Sequence, residues 1–356
     1  VSVIFLGMAE ITAIAKYVQY WFPSWPAWII QIVFLLILGS VNLIAVRVFG
    51  EAEFWFAMIK IIAILALIAT AIFMLLTGFK TSQGPVSLAN ISKGFEMFPN
   101  GWMKFLMSFQ MVFFAYQAIE FVGITVSETQ NPRKVLPKAI QEIPMRIVIF
   151  YVGALIAIMT IFPWRALPSD TSPFVMVFKL AGIKWAAALI NFVVLTSAAS
   201  ALNSTLYSTG RHLYQLANEA PNQFMKRFKI GTLSKTGVPS KAIIFSAIVI
   251  AISAFINVLP GIKDAFALIT ASSSGVYIAI YVLTMLAHLK YRKSNDFMAD
   301  GYLMPHYKIL NPITIIFMVF VFITLFLQDS TYIGAIGATI WIAAFGFYSK
   351  FKFKKQ

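Results

Sequence analysis

Cysteine is absent from all 356 residues, which removes disulfides, thiol chemistry and cysteine-ligated metals from consideration. Charge is scarce as well. Only 12% of the residues are Asp, Glu, Lys or Arg, where a soluble domain carries about 25%. No HExxH, GxSxG or Walker phosphate loop occurs, so nothing supports a zinc protease, a serine hydrolase or an ATPase. Domain boundaries, low-complexity linkers and charge-rich soluble inserts are missing too. What is there is apolar: 60% of the chain, with a mean hydropathy of +0.82. A soluble protein of this size cannot hide that much apolar surface, so lipid must solvate it.

Apolar windows near twenty residues recur from end to end. Ten are expected to span: 1–20, 28–47, 54–77, 101–128, 143–164, 185–209, 241–260, 264–289, 310–328 and 331–349. Each can cross a hydrocarbon core of ~30 Å as a helix at ~1.5 Å per residue. Barrel strands would instead show short alternating segments, so the fold class is all-α integral membrane. The longest polar stretches, near 78–100, 210–240 and 290–309, are short enough to be connections.

The net charge is +15, from 28 Lys and Arg against 13 Asp and Glu. Nineteen of the cations fall on alternate connections and the C-terminus: Arg47, the group from Arg133 to Arg146, the group from Arg211 to Lys241, the group from Lys290 to Lys308, and Lys350 onward. Eight fall on the other side, and Lys60 lies inside a span. Positive residues favour the cytoplasm, which puts the C-terminus there. The basic excess is thus a topology signal, and no nucleic acid partner is needed to explain it. Ten spans then start the first one on the cytoplasmic side. Residue 1 is Val, within an apolar run lacking a signal peptide's charged start and cleavage site. The expectation is that further sequence precedes it.

Polar groups in a membrane are expensive and so are functional candidates. The fourth span carries Tyr116, Gln117, Ala118, Ile119 and Glu120, then Gly123, Thr125 and Ser127. A helix broken near Gly123 frees backbone donors and carbonyls to meet a polar ligand near the midplane. Alternatively, Glu120 only satisfies local backbone in a kinked helix. Lys60 has two fates. It snorkels to the headgroups, or it faces the bundle and binds and releases a proton during a cycle. Small and hydroxyl residues in Thr196–Thr205 and Thr270–Gly275 suit close helix packing. Ser200, Asn203 and Ser272 remain candidates for lining a pathway. Glu10 stands alone in the first span, with Lys16 as a candidate partner. His212, His288 and His306 lack the spaced partners of a metal site or proton relay.

Residue strings add a resemblance. Phe49-Gly50-Glu51-Ala52-Glu53-Phe54-Trp55-Phe56-Ala57-Met58-Ile59-Lys60 resembles the fourth-to-fifth helix junction of bacterial amino acid permeases, in the amino acid–polyamine–organocation superfamily. Gly123 through Glu128, Asn131-Pro132 and Leu136-Pro137-Lys138-Ala139-Ile140 resemble their sixth helix and following loop. Ile147–Tyr151, Phe162-Pro163-Trp164 and Ile190–Ser200 continue the likeness. Ile143-Pro144-Met145-Arg146, Ser172-Pro173-Phe174 and the Asn191–Ser200 run lean toward the D-serine/D-alanine/glycine permease branch.

The resemblance implies an inverted-repeat, five-plus-five helix transporter fold with two appended helices, of which these ten spans match helices three to twelve. In that scheme 1–77 is the remainder of the first repeat, 101–289 the second and 310–349 the appended pair, all in one permease domain covering 1–356. Glu120 and its neighbours fall at the broken sixth helix, where substrate is met; Ala118 stands where the family usually has Gly, and Gln117 where the residue is commonly smaller or apolar. Lys60 falls at the fifth-helix lysine that, in several proton-coupled relatives, stands in for a sodium ion.

The expected function is proton-coupled import of small neutral amino acids such as alanine, glycine or D-serine across the bacterial plasma membrane. The substrate-binding set is Tyr116, Gln117, Ala118, Ile119, Glu120, Gly123, Ser200, Asn203 and Ser272, with Lys60 for coupling. The partners are the amino acid, a proton and the bilayer; no cofactor, metal or catalytic residue is expected. The alternatives are a transport-inactive truncated permease and, further off, a passive channel, for which no ring of like charges is present.

Overall fold

The structure is a computed structural model that describes residues 1–44, 46–92, 95–117, 119, 131–167, 172–182, 184–219, 222–256, 265–298 and 303–353. Helix dominates them, because hydrocarbon offers no water to free backbone groups and each span must close its own hydrogen bonds. First come α1 (Ser2–Gln19), α2 (Ala27–Ile44) and α3 (Val46–Leu76), then a small hairpin of β1 (Lys80–Thr81) and β2 (Gly84–Pro85), and the single-turn α4 (Ala89–Ser92). α5 (Trp102–Ala115) follows. α6 (Pro132–Ile147) passes through a π turn (Val148–Val152) into α7 (Gly153–Ile161). Next are α8 (Pro173–Leu180), α9 (Lys184–Glu219), α10 (Gln223–Arg227), α11 (Ser240–Ala251) and α12 (Ser253–Ile256). α13 (Ala265–Tyr291), α14 (Tyr307–Thr324) and α15 (Asp329–Phe353) come last.

Among the described residues, eight helical stretches are long and apolar enough to cross a membrane: Ser2–Gln19, Ala27–Ile44, Glu53–Leu76, Lys134–Ile161, Ala188–Glu219, Ala265–Tyr291, Tyr307–Leu327 and Asp329–Phe351. The other two expected spans coincide with shorter apolar helices, Trp102–Ala115 and Ser240–Ile256. Much of 116–128 and all of 257–260 lie outside the described residues.

Helix ends depart from the apolar windows in a consistent way. α3 starts at Val46 and has 31 residues, about 46 Å at helical rise. Its first turns carry Glu51 and Glu53, which end the apolar run without ending the helix. α9 likewise continues through the polar residues to Glu219. α6 opens on Pro132, whose missing N–H costs nothing in a first turn. Hydropathy marks where lipid begins; backbone chemistry marks where a helix stops.

The described chain divides into two compact units. One comprises Val1–Ala9, Asn100–Gln141 and Leu259–Gln356, the other Glu10–Pro99 and Glu142–Val258. In the second, Ala63, Leu67, Ala71 and Met74 of α3 pack on Ala154, Ala157, Ile158 and Ile161 of α7 and on Val175, Val177 and Phe178 of α8. Small residues, Ala63 and Ala71 on α3 and Ala154 and Ala157 on α7, line this contact. The connection after α3 caps α7. Gly84, with φ +123°, opens β2 after the two-residue turn, and the Ser87 N–H and the Asn90 side chain both donate to the Thr160 carbonyl, at 3.0 and 2.9 Å.

In the first unit, α13 and α15 lie in close contact through small residues. A Cβ on Gly334 would sit 2.6 Å from the Leu268 carbonyl oxygen and 2.9 Å from the Ala271 Cβ. One on Gly275 would sit 2.6 Å from the Ala338 Cβ. Ala271 and Gly275 on one helix thus face Gly334 and Ala338 on the other, both pairs spaced by four, a pattern that brings membrane helices together. Aromatic and aliphatic side chains fill the flank: Phe113, Tyr277, Ile278, Val321 and Leu325.

Outward faces are as apolar as the core. On α2, Ile30, Gln31, Leu35, Leu38 and Asn42 are buried, while Val33, Leu36, Ile37 and Ile44 are exposed. Leu76, Phe73 and Ile316 are exposed as well. Exposed apolar surface on this scale marks contact with lipid.

Candidate functional site

The polar side chains on these apolar helices are not scattered. In the Glu10–Pro99/Glu142–Val258 unit they gather where α2, α3 and α9 meet. Glu53 and Lys60 are seven residues apart on α3, two helical turns, and so share a face. Lys60 Nζ donates to Ser200 Oγ at 2.8 Å, and Ser200 Oγ donates to Glu53 Oε1 at 2.6 Å. The ammonium and carboxylate are 4.0 Å apart, so the hydroxyl is the closer partner of each. Ser200 is fully buried, while the Lys60 and Glu53 side chains keep about a third of their surface, 29% and 30%. Glu53 Oε2 is buried and has no hydrogen-bond partner among the described residues. Glu10 of α1 is the other charge that acts on Lys60.

One turn further along α9, Asn203 meets α2. Asn42 Nδ2 donates to Asn203 Oδ1 at 2.7 Å and to its own helix at the Leu38 carbonyl, 3.0 Å. Both amides are buried. Asn42 Oδ1 and Asn203 Nδ2 have no partner among the described residues, so the Nδ2–Oδ1 bond, worth about 0.5–1.5 kcal/mol, is what ties α2 to α9 here.

The Val1–Ala9/Asn100–Gln141/Leu259–Gln356 unit holds a second polar cluster, at the end of α5. Tyr116 closes that helix, its N–H bonded to the Phe113 carbonyl. Gln117 follows, and its amide is used at both ends: Nε2 donates to Ser274 Oγ at 2.9 Å and Oε1 accepts from Ser273 Oγ at 3.0 Å. Gln110, two turns earlier, reaches the same Ser274 hydroxyl at 3.5 Å. Ser272 belongs to helix packing, since its hydroxyl donates to the Leu268 carbonyl at 2.9 Å and lies 3.4 Å from that of Gly334. Ile119 is exposed. Ala118, Glu120 and Gly123 lie outside the described residues.

Of the residues singled out in the sequence, the structure therefore joins Lys60 to Ser200 and sets Asn203 one turn on. Gln117 is tied to the serines after Ser272. Lys60 turns toward α9. The histidines sit apart: His288 contacts Asn311 at 3.0 Å, and Ser208 approaches His212 at 3.5 Å. Glu53, Asn42, Gln31, Ser273 and Ser274 were not singled out. The seven-residue spacing of Glu53 and Lys60 was the available signal for the first. Asn42 and Gln31 were visible as lone amides in an apolar run; Gln31 is 1% exposed, with neither amide atom hydrogen-bonded among the described residues.

Long apolar helices with hydroxyl, amide and ion-pair clusters between them define a protein built into a bilayer. A profile of the amino acid permease family matches residues 1–355, and the chain belongs to that family. It is 48% identical over 350 residues to the DL-alanine permease SerP2 of Lactococcus lactis subsp. cremoris, covering 98% of this chain and 76% of the relative. With the serine permease SerP1 of the same organism the identity is 45%, over 98% of this chain and 78% of the relative. The D-serine/D-alanine/glycine transporter of Escherichia coli (strain K12) is 40% identical over 98% of this chain and 74% of its own length. The protein is thus a multi-pass bacterial membrane protein of a transporter family.

Proposed function

We propose that the protein imports small neutral amino acids, with alanine, glycine and serine of either hand as the class, by proton-coupled alternating access. The names of its relatives support the substrate class. Those three names give alanine, serine and glycine, whose side chains hold at most one carbon. The observation that carries the coupling reading is the Lys60–Ser200 hydrogen bond, which ties an ammonium on α3 to α9.

In this reading all ten apolar segments span, the C-terminus is cytoplasmic, and the chain forms one permease domain in which 101–289 is a five-helix inverted repeat. Substrate binds at the break after α5, met by Tyr116, Gln117, Ala118, Ile119, Glu120 and Gly123, with Ser200, Asn203 and Ser272 along the pathway. Protonated Lys60 bonds Ser200 and keeps α3 and α9 joined; once it gives up its proton, that attraction weakens and the helices can separate. A gradient supplies the energy.

Uptake of radiolabelled alanine by cells expressing the protein tests this directly. Wild-type uptake should rise with an inward proton gradient and collapse when it is dissipated, and Lys60→Ala should lose that response. Glu120→Gln should abolish uptake. Unimpaired uptake by Glu120→Gln refutes the site, and an unchanged gradient response in Lys60→Ala refutes the coupling.

A further inference from the structure

Glu53 has no part in the reading above, yet it is the carboxylate closest to the coupling lysine along a hydrogen-bonded path. Three facts make it more than a counter-ion. The Ser200 hydroxyl has one proton, and the geometry spends it on Glu53 Oε1 while Ser200 Oγ accepts from Lys60 Nζ. Donor, relay and acceptor are therefore already linked, with 2.8 and 2.6 Å steps and the path bent at the Ser200 oxygen. The second carboxylate oxygen, Oε2, is buried and has no partner among the described residues, so protonating Glu53 breaks no hydrogen bond made by that oxygen. Finally, the Glu53 side chain keeps 30% of its surface and lies near the start of α3.

We infer that Glu53 is the proton acceptor for Lys60, reached through the Ser200 hydroxyl, and that it passes the proton to water at the α3 start. This rests on the proton-coupled reading of Lys60. The transfer balances. An N–H bond of the Lys60 ammonium breaks as the Ser200 oxygen takes that proton; the Ser200 O–H bond breaks as Glu53 takes the other. The products are a neutral amine, an unchanged hydroxyl and a carboxylic acid. Glu53 then loses its proton to water and returns to a carboxylate. Seven residues toward the α3 N-terminus is ~10 Å along the axis, and with that end cytoplasmic the step carries the proton inward.

Glu10 of α1 is the other carboxylate whose charge reaches Lys60, and the bond through Ser200 is what sets Glu53 apart from it. α2 and α7 carry no titratable residue, and α8 carries only Lys179, in its last turn. On α9, Arg211 lies 4.3 Å over the Tyr207 ring, two turns and more beyond Ser200.

The test uses the purified protein in proteoliposomes, with labelled alanine as probe and two readouts: accumulation driven by an imposed pH gradient, and alanine–alanine exchange at equal pH, which needs no net proton release. Glu53→Gln should lose gradient-driven accumulation by about 100-fold, the scale of removing a positioned proton-transfer group, while exchange keeps the wild-type rate. Accumulation at the wild-type level overturns the inference. So does parallel loss of exchange, which makes Glu53 a structural residue. Lys60→Ala separates the two levels. If Lys60→Ala loses gradient-driven accumulation and Glu53→Gln does not, this inference alone fails; if Lys60→Ala keeps it, the coupling reading fails with it.

Discussion

The contact between α13 and α15 can be measured by substituting two glycines on α15 that differ only in what they face. A Cβ added at Gly334 meets the Leu268 carbonyl oxygen at 2.6 Å, the Ala271 Cβ at 2.9 Å and the Ser272 nitrogen at 3.0 Å. Two of these are backbone atoms, which cannot swing aside. At Gly337, three residues on, an added Cβ meets nothing within 4 Å. Replacing a helical glycine with alanine gains about 0.5–1 kcal/mol by itself. That gain is common to both sites and cancels in the comparison. Overpacking a filled contact costs about 1–3 kcal/mol. Gly337→Ala should therefore melt at or slightly above the wild type, and Gly334→Ala below it, with about 1–3 kcal/mol between the variants. At roughly 2 °C per kcal/mol for a large domain, the two apparent melting temperatures should differ by several degrees. Thermal unfolding of both proteins in one detergent, followed by tryptophan fluorescence, is a sufficient assay. Equal melting temperatures would mean that the helices do not approach through Gly334, and the packing argument would fail.

Two more outcomes follow from the polar contacts. Asn42→Ala leaves the buried Asn203 amide without its 2.7 Å partner and should cost about 1–3 kcal/mol. Asn42→Leu combined with Asn203→Leu should recover much of that loss, and a double-mutant cycle by thermal unfolding checks the coupling. The exposed Arg146–Glu142 pair, at 2.8 Å and four residues apart, is the contrasting case: Glu142→Gln should change stability by less than about 0.5 kcal/mol, and a large shift in the same assay would contradict it.

The helices were legible because lipid writes a simple rule into the chain: every expected span has a helix on it, eight of them long enough to cross. Their ends were less so. The Glu51–Glu53 step and the residues after Gly210 are polar enough to leave the bilayer, but their propensity still favours helix, and α3 and α9 run on through them. Lys60 stood out as a cation inside an apolar run, though snorkelling and a place in the bundle were both open to it. Its partners were harder to see, since Ser200 is one hydroxyl in a run of small residues, and only the fold shows that it lies between an ammonium and a carboxylate. Gln117 was visible, but its attachment to Ser273 and Ser274 joins positions more than 150 apart in the chain, which no local pattern reports.

The π turn at Val148–Val152 has its own consequence. Gly153 donates to the Val148 carbonyl, five residues back, so the turn holds one residue more than an α-helix would. Each α-helical residue adds about 100° of rotation. Removing one residue there, to leave a continuous α-helix, would rotate the stripe of Ala154, Ala157, Ile158 and Ile161 away from Ala63 and Leu67 toward the lipid. The turn thus works as a phase shifter. It sets which side of α7 meets α3 independently of how α6 lies, and a relative lacking one residue there would have to rewrite the stripe or lose the contact.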